Sequence, residues 1–283
     1  MVKKAKAAAG ASSGIELIAP NSVGTDDRVN TRPVDRAWVA RKRKEGYDDR
    51  RVGVPTISAR PDGTFVWLDG QNRGELSRAA GYGDVEIGMK VFRGLTLAEE
   101  AELFLGLNDN RRVAPIYKFL AEVTAGRSEA LEVTRIASES GWEVSDSGTR
   151  SIAAVSALSQ IYRSSRTPGA TLKLVIAIVT EAWGHEQAAV NANILLGLAL
   201  FLNDCPQISI PSLTKKLSNF DGGPSSLLGK GRGFRTTTGC TVSQGVDTVI
   251  RFAYNASRRS GRVPTMFVLP QQDAASEKQL SML

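Results

Sequence analysis

Five residues, Asp69-Gly70-Gln71-Asn72-Arg73, close the apolar run Phe65-Val66-Trp67-Leu68. A strand, a glycine and then a polar helix start form a setting for an anion. Glycine lets the backbone approach a ligand closely, and a helix N-terminus offers unpaired N–H groups and a positive dipole end. Arg73 adds a planar, bidentate phosphate donor. Asp69 is the acid of the group: a base or ligand for catalysis, an acceptor for a ribose hydroxyl, or a partner for an arginine. The plainer alternative is a strand–turn–helix corner with Asp69 as a cap. A second polar group, Asn108 with Arg111 and Arg112, follows the helical stretch from Thr96. A third, Gly229-Lys230-Gly231-Arg232-Gly233, reads as a loop whose glycines free backbone N–H groups beside two cations. It is not a Walker loop, because Gly231 stands where Ser or Thr must hold magnesium. With Arg235, Arg258 and Arg259 it forms the candidate contact to a nucleic-acid backbone.

The elements that must position these residues follow from periodicity. Val52–Ala59 and Thr64–Leu68 read as strands joined by the turn Pro61-Asp62-Gly63. A helix is expected over Gly74–Ala80 and a third strand over Val85–Phe92, whose alternation leaves one face wet. Thr96 and Glu99 form a capping box for a helix that delivers Asn108. A helix over Val34–Lys44 ends in a basic run. From Pro115 onward the period is helical: 115–125, 130–140, 151–162, 171–183, 188–203, 210–217 (capped by Ser212) and 246–256. The loop 138–150 is a candidate helix-turn-helix turn.

The segment Leu68 to Arg73 resembles the Asp-Gly-Gln-His-Arg box of the ParB/sulfiredoxin-like superfamily, which includes ParB partition proteins and DndB-type regulators. Asn108-Asp109-Asn110-Arg111, with Pro115-Ile116 after it, resembles that superfamily's Glu-Asn-x-x-Arg segment. The resemblance covers about residues 31–125. Asn72 stands in place of the usual His, and Leu107 in place of the Glu that helps hold metal. The resemblance implies an α+β fold: a small mixed-sheet ParB/sulfiredoxin-like domain followed by an all-α domain. It also implies a phosphate- or nucleotide-binding cleft, carried over onto the matching residues Gly70, Gln71, Arg73, Asn108 and Arg111; Asn72 and Arg112 beside them are further candidates, and Asp69 is the candidate catalytic residue. No metal ligand is assigned. The cofactor is left open, a nucleoside triphosphate with magnesium being the candidate.

Composition agrees with a globular protein: 42% hydrophobic and 23% charged residues over 283 positions. Formal net charge is +7, which favours a polyanionic partner. The excess is concentrated. Residues 211–270 hold nine Lys or Arg against two acids. Cys205 and Cys240 lie far apart, and His185 is the only histidine, read as a helix cap or surface residue. No secretory signal is read at the N-terminus, and the longest apolar runs fall short of the roughly 20 residues of a membrane span. The expected organisation is a flexible arm (1–30), in which the short alternation Ile15, Leu17, Ile18 offers an alternative as a docked edge strand, the ParB-like domain (31–125), a basic helical domain (126–270) and a loose tail (271–283). The expected function is ParB-like DNA binding in the cytoplasm, by a plasmid or phage type of protein, with oligomerisation left open. The alternative is an enzyme of the same fold, a nuclease or a nucleotide-dependent hydrolase or phosphotransferase.

Overall fold

The computed structural model describes residues 12–48, 50, 52–108 and 114–265. The fold is α+β, a five-stranded mixed sheet followed by helices. It divides into two compact units: Met1–Arg135 with Glu143–Gly148, and Ile136–Trp142 with Thr149–Leu283. The division falls within one helix at Arg135, against the 125/126 boundary expected from sequence.

The first unit holds strands β1 (Ser12–Ile18), β2 (Val23–Gly24), β3 (Thr56–Ala59), β4 (Phe65–Asp69) and β5 (Ile87–Arg93) in the order β1-β5-β3-β4-β2. β1 runs antiparallel to β5, β3 antiparallel to β4, and the pairs β3–β5 and β2–β4 are parallel. Two of these strands come from residues expected as a flexible arm. β1 docks along β5 by its backbone pairing, with Ile18 joining the core while Ile15 and Leu17 stay exposed. Alternation along β4 separates two cores. Trp67 packs with Val23, Ile57, Met89 and Val91, while Leu68 packs with Val29, Phe104 and Ala121. Helices α1 (Arg36–Glu45) and α2 (Gln71–Ala79) pack on each other. α2 lies on Trp67, because a Cβ at Gly74 would come 2.5 Å from Cζ2 of that ring. α3 (Leu97–Leu107) supplies Phe104 to the opposite core and carries the expected Thr96–Glu99 capping box. α4 (Pro115–Thr124) starts at its proline, as read.

An ionic network ties this unit together. Glu100 of α3 is buried and takes two hydrogen bonds from Arg60, and Arg60 also pairs with Asp26. Arg28 and Arg60 beside it hold the Asp26 carboxyl well below the usual carboxylate range, and the Glu100 carboxylate pushes Arg60 up. A depressed carboxylate stabilises the fold above its unfolded value of about 4 and loses that contribution as the pH falls. Melting temperatures measured between pH 5 and pH 2 are therefore expected to fall less steeply in Asp26→Asn than in the parent.

The second unit is helical. α5 (Ser128–Glu139) passes into it from the first, and α6 (Val155–Tyr162), α7 (Ala170–Trp183), α8 (Ala192–Asp204), α9 (Ile210–Ser218), α10 (Gly223–Thr238) and α11 (Val242–Asn255) complete it. The stretch 188–203, read as one helix, is a 3-10 turn at Gln187–Val190 and then α8, whose N-cap is Asn191. Ser209, not Ser212, caps α9. The 138–150 loop belongs to a connection running from Glu139 to Val155, longer than a helix-turn-helix turn. α7 and α8 bury Val175, Ile176, Leu195, Leu198 and Phe201 at the centre. Trp142 is buried and donates to Thr180. His185 follows the left-handed Gly184 at the end of α7, its Nε2 3.0 Å from the Ser140 carbonyl.

Three glycines set the closest approaches in this bundle. A Cβ on Gly245 of α11 would lie 2.2 Å from the Gly231 carbonyl oxygen of α10. One on Gly231 would meet Val246 Cγ2 at 2.6 Å, and one on Gly197 of α8 would meet Val246 Cγ1 at 2.6 Å. Among the described residues no helix is long and apolar enough to cross a membrane.

Candidate functional site

The Asp69–Arg73 corner is built tightly. Gly70 sits in the left-handed region at φ +92°, and a Cβ there would come 2.8 Å from Pro55 Cβ. Its carbonyl accepts from the N–H groups of Arg73 and Gly74, both at 2.9 Å. α2 therefore starts at Gln71, three residues earlier than expected, and no side chain caps it. Asp69 does not cap it either. Its Oδ2 accepts from Arg73 Nη2 at 3.0 Å, while Arg73 Nη1 donates to the Val52 carbonyl at 2.6 Å. The guanidinium is thus clasped between the end of β4 and the loop before β3, with 22% of the side chain exposed.

The other residues of the box serve neighbouring segments. Gln71 is buried and donates from Nε2 to Thr25 at 3.1 Å, leaving Oε1 buried with no hydrogen-bond partner among the described residues. Asn72 accepts from the Asp35 backbone N–H at 2.9 Å, and Asp35 in turn caps α1. Asn108 is buried as the C-cap of α3, its Nδ2 donating to the Phe104 carbonyl at 2.8 Å. Arg111 and Arg112 lie outside the described residues. So the structure joins Asp69, Gly70 and Arg73 in one corner, turns Gln71 inward, and commits Asn72 and Asn108 to holding helix ends. Among the described residues no group of three or more His, Cys, Asp or Glu could hold a metal ion.

The Gly229–Gly233 stretch is not a loop. It lies inside α10, so its backbone N–H groups serve the helix, and Gly231 is a packing residue against α11. Leu227, Leu228 and Gly231 form the buried stripe of α10. Lys230 and Arg232 are exposed on the two flanks of its outer side, and Arg235, one turn past Gly231, is exposed near the helix end. Gly229 and Gly233 share that outer side and have open space around them. Lys230 lies over the Phe220 ring, 4.7 Å from its centroid. Arg258 stacks 3.9 Å from the Tyr254 centroid and donates to Ser212. Arg259 is exposed. Two lysines belong beside this set. Lys215 and Lys216, in the last turn of α9, line a groove of about 500 Å³ with Phe220 and Lys230. Lys216 also donates to the Ala256 carbonyl at 2.6 Å. The concentration of charge in 211–270 pointed to them, although no spacing did. One of the nine cations in that segment is removed from the surface: Arg251 is buried.

No curated protein matches the chain at a significant level. Among solved structures the chain is similar to that of a Pnob8-like ParB-N domain, at 13% identity over 77% of this chain and 93% of that one, with a TM-score of 0.33, too low to equate the two folds. A family model matches residues 27–207, and the chain belongs to that family, the Family of unknown function (DUF6551).

Proposed function

We propose that this is a ParB-like DNA-binding protein whose helical unit contacts the phosphate backbone through α10. The observation that carries the reading is the exposed charge of α10. Lys230, Arg232 and Arg235 stand exposed on this helix, with only glycines, Gly229 and Gly233, on the outer side between Lys230 and Arg232, and Lys215 and Arg259 are exposed in the neighbouring segments. Small side chains between the cations let a phosphate backbone approach the helix closely. Duplex binding of this kind releases counterions, so it weakens steeply with salt. A mobility shift with duplex DNA is expected at low salt and is expected to be lost at moderate salt. Arg232→Glu/Arg235→Glu should weaken it across sequences and lower the salt slope by about 2, roughly 0.9 for each lost phosphate contact. No binding by the parent at low salt would sink the reading.

The Asp69–Arg73 corner is the proposed phosphate or nucleotide cleft of the same protein. The uncapped start of α2 and the partly exposed Arg73 support it, together with the two sequence boxes. Isothermal titration with CTP and ATP, with and without magnesium, tests it, since Arg73→Ala should abolish any heat the parent gives. The enzymatic alternative finds less support, because the Asp69 carboxylate is engaged by Arg73 rather than held ready as a base.

A further inference from the structure

β1 is an edge strand without the usual protection. It spans seven residues and pairs with β5 in unbroken register, Ser12 opposite Arg93 through Ile18 opposite Ile87. The other sheet edge is blunted by the two-residue β2. β1 carries no proline and no lysine, two residues that commonly block edges. Its single charge, Glu16, is already paired with Arg93 of β5 at 2.6 Å. Ile15 and Leu17 share one face, and each is 65% exposed. Opposite them on β5 stand Lys90 and Gly88, and a Cβ at Gly88 would touch nothing but Ile15. Among the described residues, both the row of backbone groups and the apolar face beside it are therefore open.

We propose that β1 pairs antiparallel with β1 of a second copy of this chain, joining two five-stranded sheets across a two-fold axis at Ile15. The strand itself points to this occupant. The register that pairs all seven residues has Ile15 at its centre, with Ile15 facing Ile15, Leu17 facing Ser13 and Glu16 facing Gly14. No like charges meet, since each Glu16 keeps its own Arg93. The two Ile15 and two Leu17 side chains become one apolar patch on a continuous sheet. Such an interface is isologous, the same surface serving both partners.

Disulfide trapping in the full chain carrying Cys240→Ser tests the register. Directly opposed residues in an antiparallel pair have Cα atoms about 4.5–5.5 Å apart, within disulfide reach. Ile15→Cys is expected to cross-link to dimers under mild oxidation, and Ser13→Cys, which faces Leu17 of the second copy, is not. Light scattering should show a dimer for the parent and a monomer for Ile15→Lys/Leu17→Lys, with unchanged circular dichroism. A parent that stays monomeric at about 100 μM would overturn the proposal. So would a dimer that survives the two lysines, or Ser13→Cys linking as well as Ile15→Cys. Protection from hydrogen exchange, in a monomer, of those alternate β1 amides that point away from β5 would do the same, by showing that something other than a second copy covers the edge.

Discussion

Gly245→Ala is expected to remove about 3 kcal/mol of stability, the upper part of the range for overpacking a tight core. In an exposed helix the same change stabilises, since alanine is the better helix former by roughly 1 kcal/mol. The sign reverses here because the new methyl group would lie 2.2 Å from a backbone carbonyl, that of Gly231, which cannot rotate away as a side chain would. α10 would have to move off α11. The control sits on the far side of α10. Gly229 faces open space, so Gly229→Ala should raise stability by about 0.5–1 kcal/mol. Urea titrations of the two variants, followed by circular dichroism, should move the midpoint in opposite directions. Equal shifts of one sign would mean that α10 and α11 are not in contact at this seam.

Arg251→Ala is expected to cost about 3–5 kcal/mol, the penalty for leaving a buried charge without its partner. Arg251 and Asp247 are one turn apart on α11, both almost wholly buried, and joined at 2.8 Å. Arg251 also reaches Asp204 at 2.8 Å and the Pro264 carbonyl at 3.0 Å. Burial pushes the Asp247 carboxyl up, against the pull of Arg251. Without the arginine nothing opposes that push. The folded variant then binds its proton more tightly than the unfolded chain, so it is most stable at low pH and loses stability as the pH rises. The double variant Arg251→Met/Asp247→Leu should recover part of the loss, because two apolar groups replace both charges. Equilibrium unfolding at pH 5 and pH 8 checks both the size and the sign.

The legible parts of the chain were those with a local physical signature. Thr96 and Glu99 bind one another's backbone within four residues, so their capping box could be read directly and is present. The apolar period of α7 and the run Phe65–Leu68 likewise marked buried elements. The glycine–cation stretch misled because its glycines answer to a distant helix. Gly231 is small for the sake of Gly245 and Val246, a requirement invisible until α10 and α11 are packed. β1 was underweighted for a similar reason: seven residues with two exposed apolar side chains are a strand only because β5 lies beside them. At the corner after β4, the residue types were read correctly as a glycine turn and a helix start. Their partners were not, since Val52, Thr25 and Asp35 are each more than 20 positions away along the chain.

The pocket that Gly74 opens for Trp67 has an optical consequence. The indole is fully buried, and its Nε1 has no hydrogen-bond partner among the described residues. A ring in so dry a setting emits toward the blue, and water reaching it shifts the emission to the red. Any loosening of α2 from the sheet is thereby written into the intrinsic fluorescence of the protein, with no label attached. Trp142 stands in the helical unit beside the ring of His185, at a centroid distance of 4.9 Å, and its Nε1 donates to Thr180. With Trp38 in the sheet-bearing unit and Trp183 in the helical one, the four tryptophans divide two to a unit, so Trp38→Phe would leave Trp67 as the single indole that reports on the sheet.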